Sequence, residues 1–328
     1  DCLYHFFNNP YPRPKTNFGE WIYYTFGKGI AEKYLIPYNK KIWKIDPSEL
    51  GLEWVEGRVP KPPAEDILKS ALGIETEGYT HQLYFWYPKK GGIESLVLAF
   101  AKHVKSIVPN YKVNKVKKIN NGWLVSDGKT EKTYDKIINT MPLPELLKCL
   151  DNIPKRVVHA INSLRYNSTI IVMIGLNKVK IKDKFAFYVP QEDTLYHRLC
   201  FYTFLNADHA PKGKHTVTAE ITYYPGDKIS KMSDKEIIKH TIVTMEREGF
   251  IDSGDVCETD LVNSRYGYVV NTIGYIDKLK IIREYFDSIG LHLCGRFAEF
   301  EYLNMDMIIR HSFELAKKIK DNGGMVTK

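Results

Sequence analysis

Residues 291–306, LHLCGRFAEFEYLNMD, decide how the whole chain is read. The apolar run LHLC forms a short strand that ends at Gly295. A polar and aromatic loop follows. A helix is predicted over Asp306–Lys320, with Asp306 as its cap and Gly323–Gly324 beyond its end. A strand, a loop and a helix start in this order turn backbone N–H groups toward an anion or the polar edge of a ring. Gly295 permits close approach. Arg296 adds a permanent cation with forked donors. An ordinary strand–helix connection would give the same pattern, so both readings stand on the residues alone. Glu299 and Glu301 could suggest acid–base work, or read more simply as alternating surface carboxylates.

Working outward, a second glycine signal lies at YPKKGG, residues 87–92. Ile93, Leu96, Val97, Phe100, Ala101 and Val104 follow it at helical spacing. Gly91–Gly92 can admit a flat ring or phosphates, or can simply make a turn. Short strands are predicted at 113–119, 122–128 and 134–140. Further strands are predicted at 169–176, 185–189, 199–205 and 215–224. In the last, Val217, Ala219 and Ile221 share one face, as in an antiparallel sheet packed on one side. Ser233 and Glu236 form a capping box for a helix that ends near Gly249. Another helix is predicted from Gly274 to Phe286. Residues 1–20 read as an irregular lead-in. The segment 21–34 is helix-compatible but interrupted by Gly27 and Gly29, which suggests a turn or a close helix contact.

Composition narrows the classes of function. The chain has 328 residues, enough for two domains, and a net charge of +8 without basic blocks. A clustered basic face or a nucleic-acid module is not visible, so no nucleic-acid partner is expected. The five cysteines are widely spaced, no CxxC or HExxH pattern occurs, and no metal site is expected. No run of about 18 apolar residues could cross a bilayer. A reducing, cytoplasmic location is expected. There is no GxSxG elbow and no GxGxxG or GxxxxGK motif. The 22 tyrosines are suited to a polar cleft, since each joins a ring to a hydroxyl.

In order along the chain, several pieces resemble UDP-galactopyranose mutases and the amine-oxidase-like FAD enzymes related to them. NFGEWIYYTFGKGIAEKYLIPYNKKIW, residues 17–43, is similar to the family's WI…FGxGI…PYNxKxW segment. WVEGRVP at 54–60, YPKKGG at 87–92, KVNKVKKI at 112–119 and YDKIINTMP at 134–142 are similar to later pieces. GRFAEFEYLNMD resembles the signature GRxGxYxYxxMD. The resemblance implies that Gly91 and Gly92 lie on the flavin side and that Val116 contacts the adenine. It implies that Gly295, Arg296 and Phe297 lie beside the flavin ring, and that Met305 and Asp306 bring a helix start toward the cofactor. It also implies that Tyr268 and Tyr302 meet a substrate diphosphate. Arg265 is a further substrate candidate. Val269 stands where proline is usual after Tyr268, and Asn304 replaces a common acidic residue.

The fold class expected is α/β: an incomplete FAD-binding Rossmann-like domain with a helical insertion and an antiparallel-sheet substrate domain. Residues 1–83 are read as the insertion and 146–287 as the substrate domain. Residues 84–145 and 288–328 are read as parts of a split cofactor domain. A strand–GxGxxG–helix unit is expected upstream of Asp1 in the parent protein, so FAD is expected there, with weak or no binding by this chain alone. The resemblance implies pyranose/furanose isomerisation of a nucleotide sugar through N5 of reduced flavin. The alternatives are an amine or porphyrinogen oxidase-like enzyme acting on another small molecule, and a non-enzymatic α/β binding domain. The residues leave oligomeric state open.

Overall fold

The computed structural model describes residues 1–55, 58–74, 76 and 85–323. Glu56 and Gly57 of the 54–60 stretch, and Gly324, lie outside the described residues. The helices α1 (Cys2–Phe7), α2 (Phe18–Ile30), α3 (Ile36–Trp43), α4 (Ala64–Ala71) and α5 (Glu94–Ala101) come first. Strands β1 (Lys115–Ile119), β2 (Gly122–Ser126), β3 (Glu131–Tyr134) and β4 (Ile137–Asn139) follow, then helices α6 (Leu143–Cys149) and α7 (Lys155–Asn162). Strands β5 (Arg165–Leu176), β6 (Ala186–Tyr188), β7 (Arg198–Phe201) and β8 (His215–Tyr223) precede helix α8 (Asp234–Arg247). The chain continues with β9 (Val256–Val270), α9 (Tyr275–Ile289), β10 (Leu291–Leu293) and α10 (Met305–Gly323). Two compact units result: residues 1–107 with 167–267, and residues 108–166 with 268–328.

The first unit is built on a five-stranded sheet in the order β6-β7-β8-β5-β9. Strands β5 and β8 pair antiparallel over nine positions, from Ser168↔Tyr223 to Leu176↔His215. Period-2 alternation puts Ile170, Val172, Ile174, Val217, Ala219 and Ile221 into one core with Leu199, Phe201, Ile237 and Met245. Helix α8 opens with the capping box expected at Ser233 and Glu236. Strand β9 escaped the sequence reading because residues 257–260 and 262–265 are all exposed, so no apolar alternation marks it. Gly267 is required there, since a Cβ would lie 1.8 Å from Thr169 Oγ1. The expected strand at 199–205 is shorter than predicted: after Phe201 the chain turns into a 3-10 segment at Tyr202–Phe204.

The lead-in is not irregular throughout. Residues 2–7 form α1, which packs on α2 at the two glycines. A Cβ on Gly27 would sit 2.0 Å from the His5 carbonyl oxygen, and one on Gly29 would sit 2.7 Å from Cys2 Cα. Gly27 has φ 71°, which kinks α2, and one π-helical turn at Ala31–Leu35 leads into α3.

Helix α3 ends against the sheet, where its last carbonyls need partners. Thr222 Oγ1 donates to the Lys41 carbonyl at 2.8 Å, Asn167 Nδ2 to that of Ile42 at 2.8 Å, and the Tyr224 hydroxyl to that of Trp43 at 3.3 Å. The Lys41 ammonium in turn donates to the carbonyls of Val189 at 3.1 Å and Gln191 at 2.6 Å, and to Thr194 Oγ1.

The second unit holds the antiparallel β1-β2-β3 sheet and a parallel pair, Leu291↔Ile137 to Leu293↔Asn139. Its core joins Val116, Trp123, Leu143, Leu146, Val157 and Ile161 to Leu279, Ile282, Phe286 and Phe300. Among the described residues, no helix is long and apolar enough to cross a membrane.

Burial, with a smaller contribution from Lys44, pushes the Lys41 ammonium down to about 7 from its ordinary 10.5. Between those two values the unfolded chain binds the proton that the folded chain releases, so this group makes stability rise with pH across that window. Urea midpoints of the wild type should therefore rise from pH 7 to pH 9 relative to those of Lys41→Met. Parallel pH curves for the two proteins would contradict the assignment.

Candidate functional site

The site of the second unit begins where β10 ends. The Cys294 amide donates to the Asn139 carbonyl at 3.0 Å, which carries the parallel pairing up to the edge of Gly295. Gly295 has φ 96°, and among the described residues no atom beyond its chain neighbours lies within 4 Å of where its Cβ would be. The chain thus turns with open space in front of it. The turn is closed by Ala298 and Glu299 amides, which both donate to the Gly295 carbonyl, at 3.1 and 2.9 Å. Phe300 is fully buried at φ 53°, a conformation L side chains rarely adopt. Its ring packs edge-on against Tyr166 with centroids 5.0 Å apart, so core burial holds the reversed backbone in place.

This turn presents Arg296 to two tyrosines. Its guanidinium carbon lies 4.4 Å from the Tyr302 ring centroid and 4.9 Å from that of Tyr268. The two rings are stacked, 5.8 Å apart at 25°. Contacts of this kind contribute about 0.5–2 kcal/mol, more when desolvated. Among the described residues, Arg296 Nε and Nη2 are buried and have no hydrogen-bond partner. Each such donor costs about 1–3 kcal/mol. The cluster therefore holds a fixed cation with two donors that lack acceptors. It brings Tyr268 of β9 together with Arg296 and Tyr302 of the loop between β10 and α10.

Glu299 is not a surface carboxylate, contrary to the sequence reading. It is half-buried, accepts the Gly295 amide at 2.8 Å and faces His311 Nδ1 at 3.1 and 3.3 Å. Glu301 pairs with Arg283. No local motif marks His311, because its partner lies twelve positions earlier on a different element. Asp306 does not cap α10. The helix starts at Met305, and Asp306 lies exposed in its first turn, where a carboxylate still suits the positive end of the dipole. Phe297 is half-buried, and its carbonyl accepts the Tyr166 hydroxyl at 3.2 Å. Val116 is buried in the core, so only its backbone could meet a ligand.

The remaining candidates belong to the first unit. Gly91 and Gly92 have φ 75° and 59° and lead into α5. Arg265 lies on the wall of a pocket of about 430 Å³ with Ser168, Tyr223, Asp234 and Asn263. The described residues contain no cluster of His, Cys, Asp or Glu that could hold a metal ion.

Residues 41–262, more than half of the chain, match the family model for flavin-containing amine oxidoreductases. The chain belongs to this family of flavin enzymes, whose cofactor is FAD. Its fold is similar to that of reduced UDP-galactopyranose mutase, with a TM-score of 0.82 at 21% identity, over 92% of this chain and 67% of that one. It is also similar to cyclohexylamine oxidase from Brevibacterium oxydans, with a TM-score of 0.65 at 13% identity over 94% and 68% of the two chains. A putrescine oxidase double mutant gives 0.63 at 14% identity over 98% and 72%. The residues of the Gly295 turn suit a flavin. Open space faces Gly295, and the two unmatched donors of Arg296 suit oxygen-rich or anionic groups.

Replacing Arg296 by methionine removes the two orphaned donors and keeps an unbranched apolar stem. The unfolding temperature of the flavin-free protein should stay level or rise, because the cost of two unmatched donors exceeds that of the lost ring contacts. A large drop in calorimetry would mean that Arg296 has a structural role.

Proposed function

We propose that the parent protein is a flavin-dependent enzyme that converts a nucleotide sugar, as UDP-galactopyranose mutase does. The observation that carries this reading is the Arg296 guanidinium lying against Tyr268 and Tyr302 with two buried donors to offer. A diphosphate supplies acceptors in the number and charge that such donors need. The proposed division of labour follows from the chemistry of each residue. Arg296 neutralises the diphosphate, Tyr268 and Tyr302 orient it, and Arg265 is the remaining substrate candidate. Gly91, Gly92, Val116, Gly295, Phe297, Met305 and Asp306 are proposed to hold FAD, with Arg296 serving at the boundary of cofactor and substrate. Bound flavin would supply the nucleophilic and electron-transfer chemistry. The residues named here would supply position and charge compensation.

The second reading is an oxidase of an amine or another small molecule, and the family match favours it. A protonated amine would be repelled by the Arg296 guanidinium, and that repulsion ranks the anionic substrate first.

Tyr302→Phe separates these readings. It deletes one hydroxyl and keeps most of the ring packing. A hydrogen bond to a charged group is worth about 1.5–3 kcal/mol, so UDP-galactose affinity of the FAD-containing protein should fall by roughly one to two powers of ten. Flavin occupancy should hold. Unchanged affinity in the variant, or none in the wild type, would reject the nucleotide-sugar reading and leave the oxidase.

A further inference from the structure

The turn Tyr87–Gly92 is not held by its own residues alone. The Tyr87 hydroxyl and His209 Nε2 are 2.8 Å apart, with ring centroids at 5.5 Å. The imidazole also covers Gly92: a Cβ there would meet His209 Cε1 at 3.3 Å and the Tyr87 hydroxyl at 3.7 Å. Three residues earlier, the Asn206 side-chain amide donates to the carbonyls of Pro88 and Lys89. Both clamping residues stand on a short segment tied to the sheet. Thr216 Oγ1, on β8, donates to the His209 carbonyl at 2.9 Å, and the His209 amide donates to that of Asn206 at 3.2 Å. The Tyr202 ring also packs on His209, with centroids 5.6 Å apart.

We infer that His209 is a positioning residue for the flavin. It transmits the rigidity of β8 through the Tyr87 hydroxyl to the backbone of Gly91–Gly92. Two consecutive glycines at positive φ have little conformational restraint of their own. A turn that must meet a flat ring needs its geometry set by packed neighbours and their hydrogen bonds. Imidazole suits this task, because one ring covers the glycine and accepts or donates at the tyrosine hydroxyl. Neither the 87–92 motif nor the local sequence around 209 reveals the pairing. The inference rests on the reading of Gly91–Gly92 as a flavin-side turn.

The variants are His209→Leu, His209→Gln, Tyr87→Phe and Gly92→Ala, each in the FAD-containing protein. Two measurements are made on each. Amide hydrogen exchange of residues 89–92 is followed in its flavin-free form, and FAD affinity and the visible flavin bands are measured after loading. His209→Leu should speed exchange in the turn and weaken FAD roughly 3- to 10-fold, the cost of one neutral hydrogen bond. It should also shift the flavin bands. Tyr87→Phe should reproduce these changes, His209→Gln should restore most of them, and the Tyr87→Phe/His209→Leu pair should be no worse than His209→Leu alone. Exchange that does not change in His209→Leu overturns the clamp. Faster exchange with unaltered FAD affinity and bands overturns its role toward the flavin. Gly92→Ala tests the underlying reading separately. If it leaves FAD affinity intact, the flavin-side assignment falls, whatever the exchange data show.

Discussion

A buried backbone amide or carbonyl must find a partner, and each unit is organised around places where helix or strand backbone pairing does not supply one. In the first unit these are the last carbonyls of α3. Side chains from the sheet segments answer them: Thr222, Asn167 and Tyr224 donate to three consecutive residues, Lys41, Ile42 and Trp43. The Lys41 ammonium completes the arrangement in the other direction by donating to Val189 and Gln191 carbonyls. The helix is therefore locked to the sheet by directional contacts, in addition to the apolar ones. Loss of any one donor would strand a carbonyl in a place that water reaches poorly.

The second unit meets the same constraint at Gly295. There the amide released at the end of β10 is taken by the Glu299 carboxylate, and His311 faces the same carboxylate from α10. The turn can then fold back on itself, with Phe300 forced to positive φ and anchored in the core. Arg296 is the consequence. Its stem is carried by this turn, and its guanidinium comes to rest on the Tyr268 and Tyr302 rings. Aromatic faces compensate charge but accept no conventional hydrogen bond, so Nε and Nη2 stay unmatched. A ligand with oxygen acceptors would relieve that imbalance, which is a physical reason for a flavin enzyme to keep an arginine there.

Much of this was legible along the chain. The capping box at Ser233–Glu236, the alternation of β8 and the glycine at the end of β10 are local patterns, and local patterns survive in one dimension. The close helix contact at Gly27 and Gly29 was legible too, although its partner, α1, was not. Strand β9 was missed because exposed polar residues on both sides erase the period-2 signal, and pairing with β5 must stabilise it instead. Asp306 read as a cap because an acidic residue stood at the right distance from the apolar pattern, yet the helix begins one residue earlier.

The sequence by itself determined the family, the antiparallel sheet and the segments that carry the candidate residues, because motif spacing and hydrophobic period are properties of neighbouring residues. It also singled out Tyr268, Arg296 and Tyr302 one at a time. Only the tertiary structure decided that they form one cluster, that Glu299 is turned inward to Gly295 and His311, and that His209 stands over Gly92. The contacts of Tyr268 with Arg296, of Glu299 with His311 and of His209 with Gly92 join groups through space across chain separations that no local pattern encodes. Each depends on burial, which removes water as the competing partner and leaves the protein's own groups to satisfy one another.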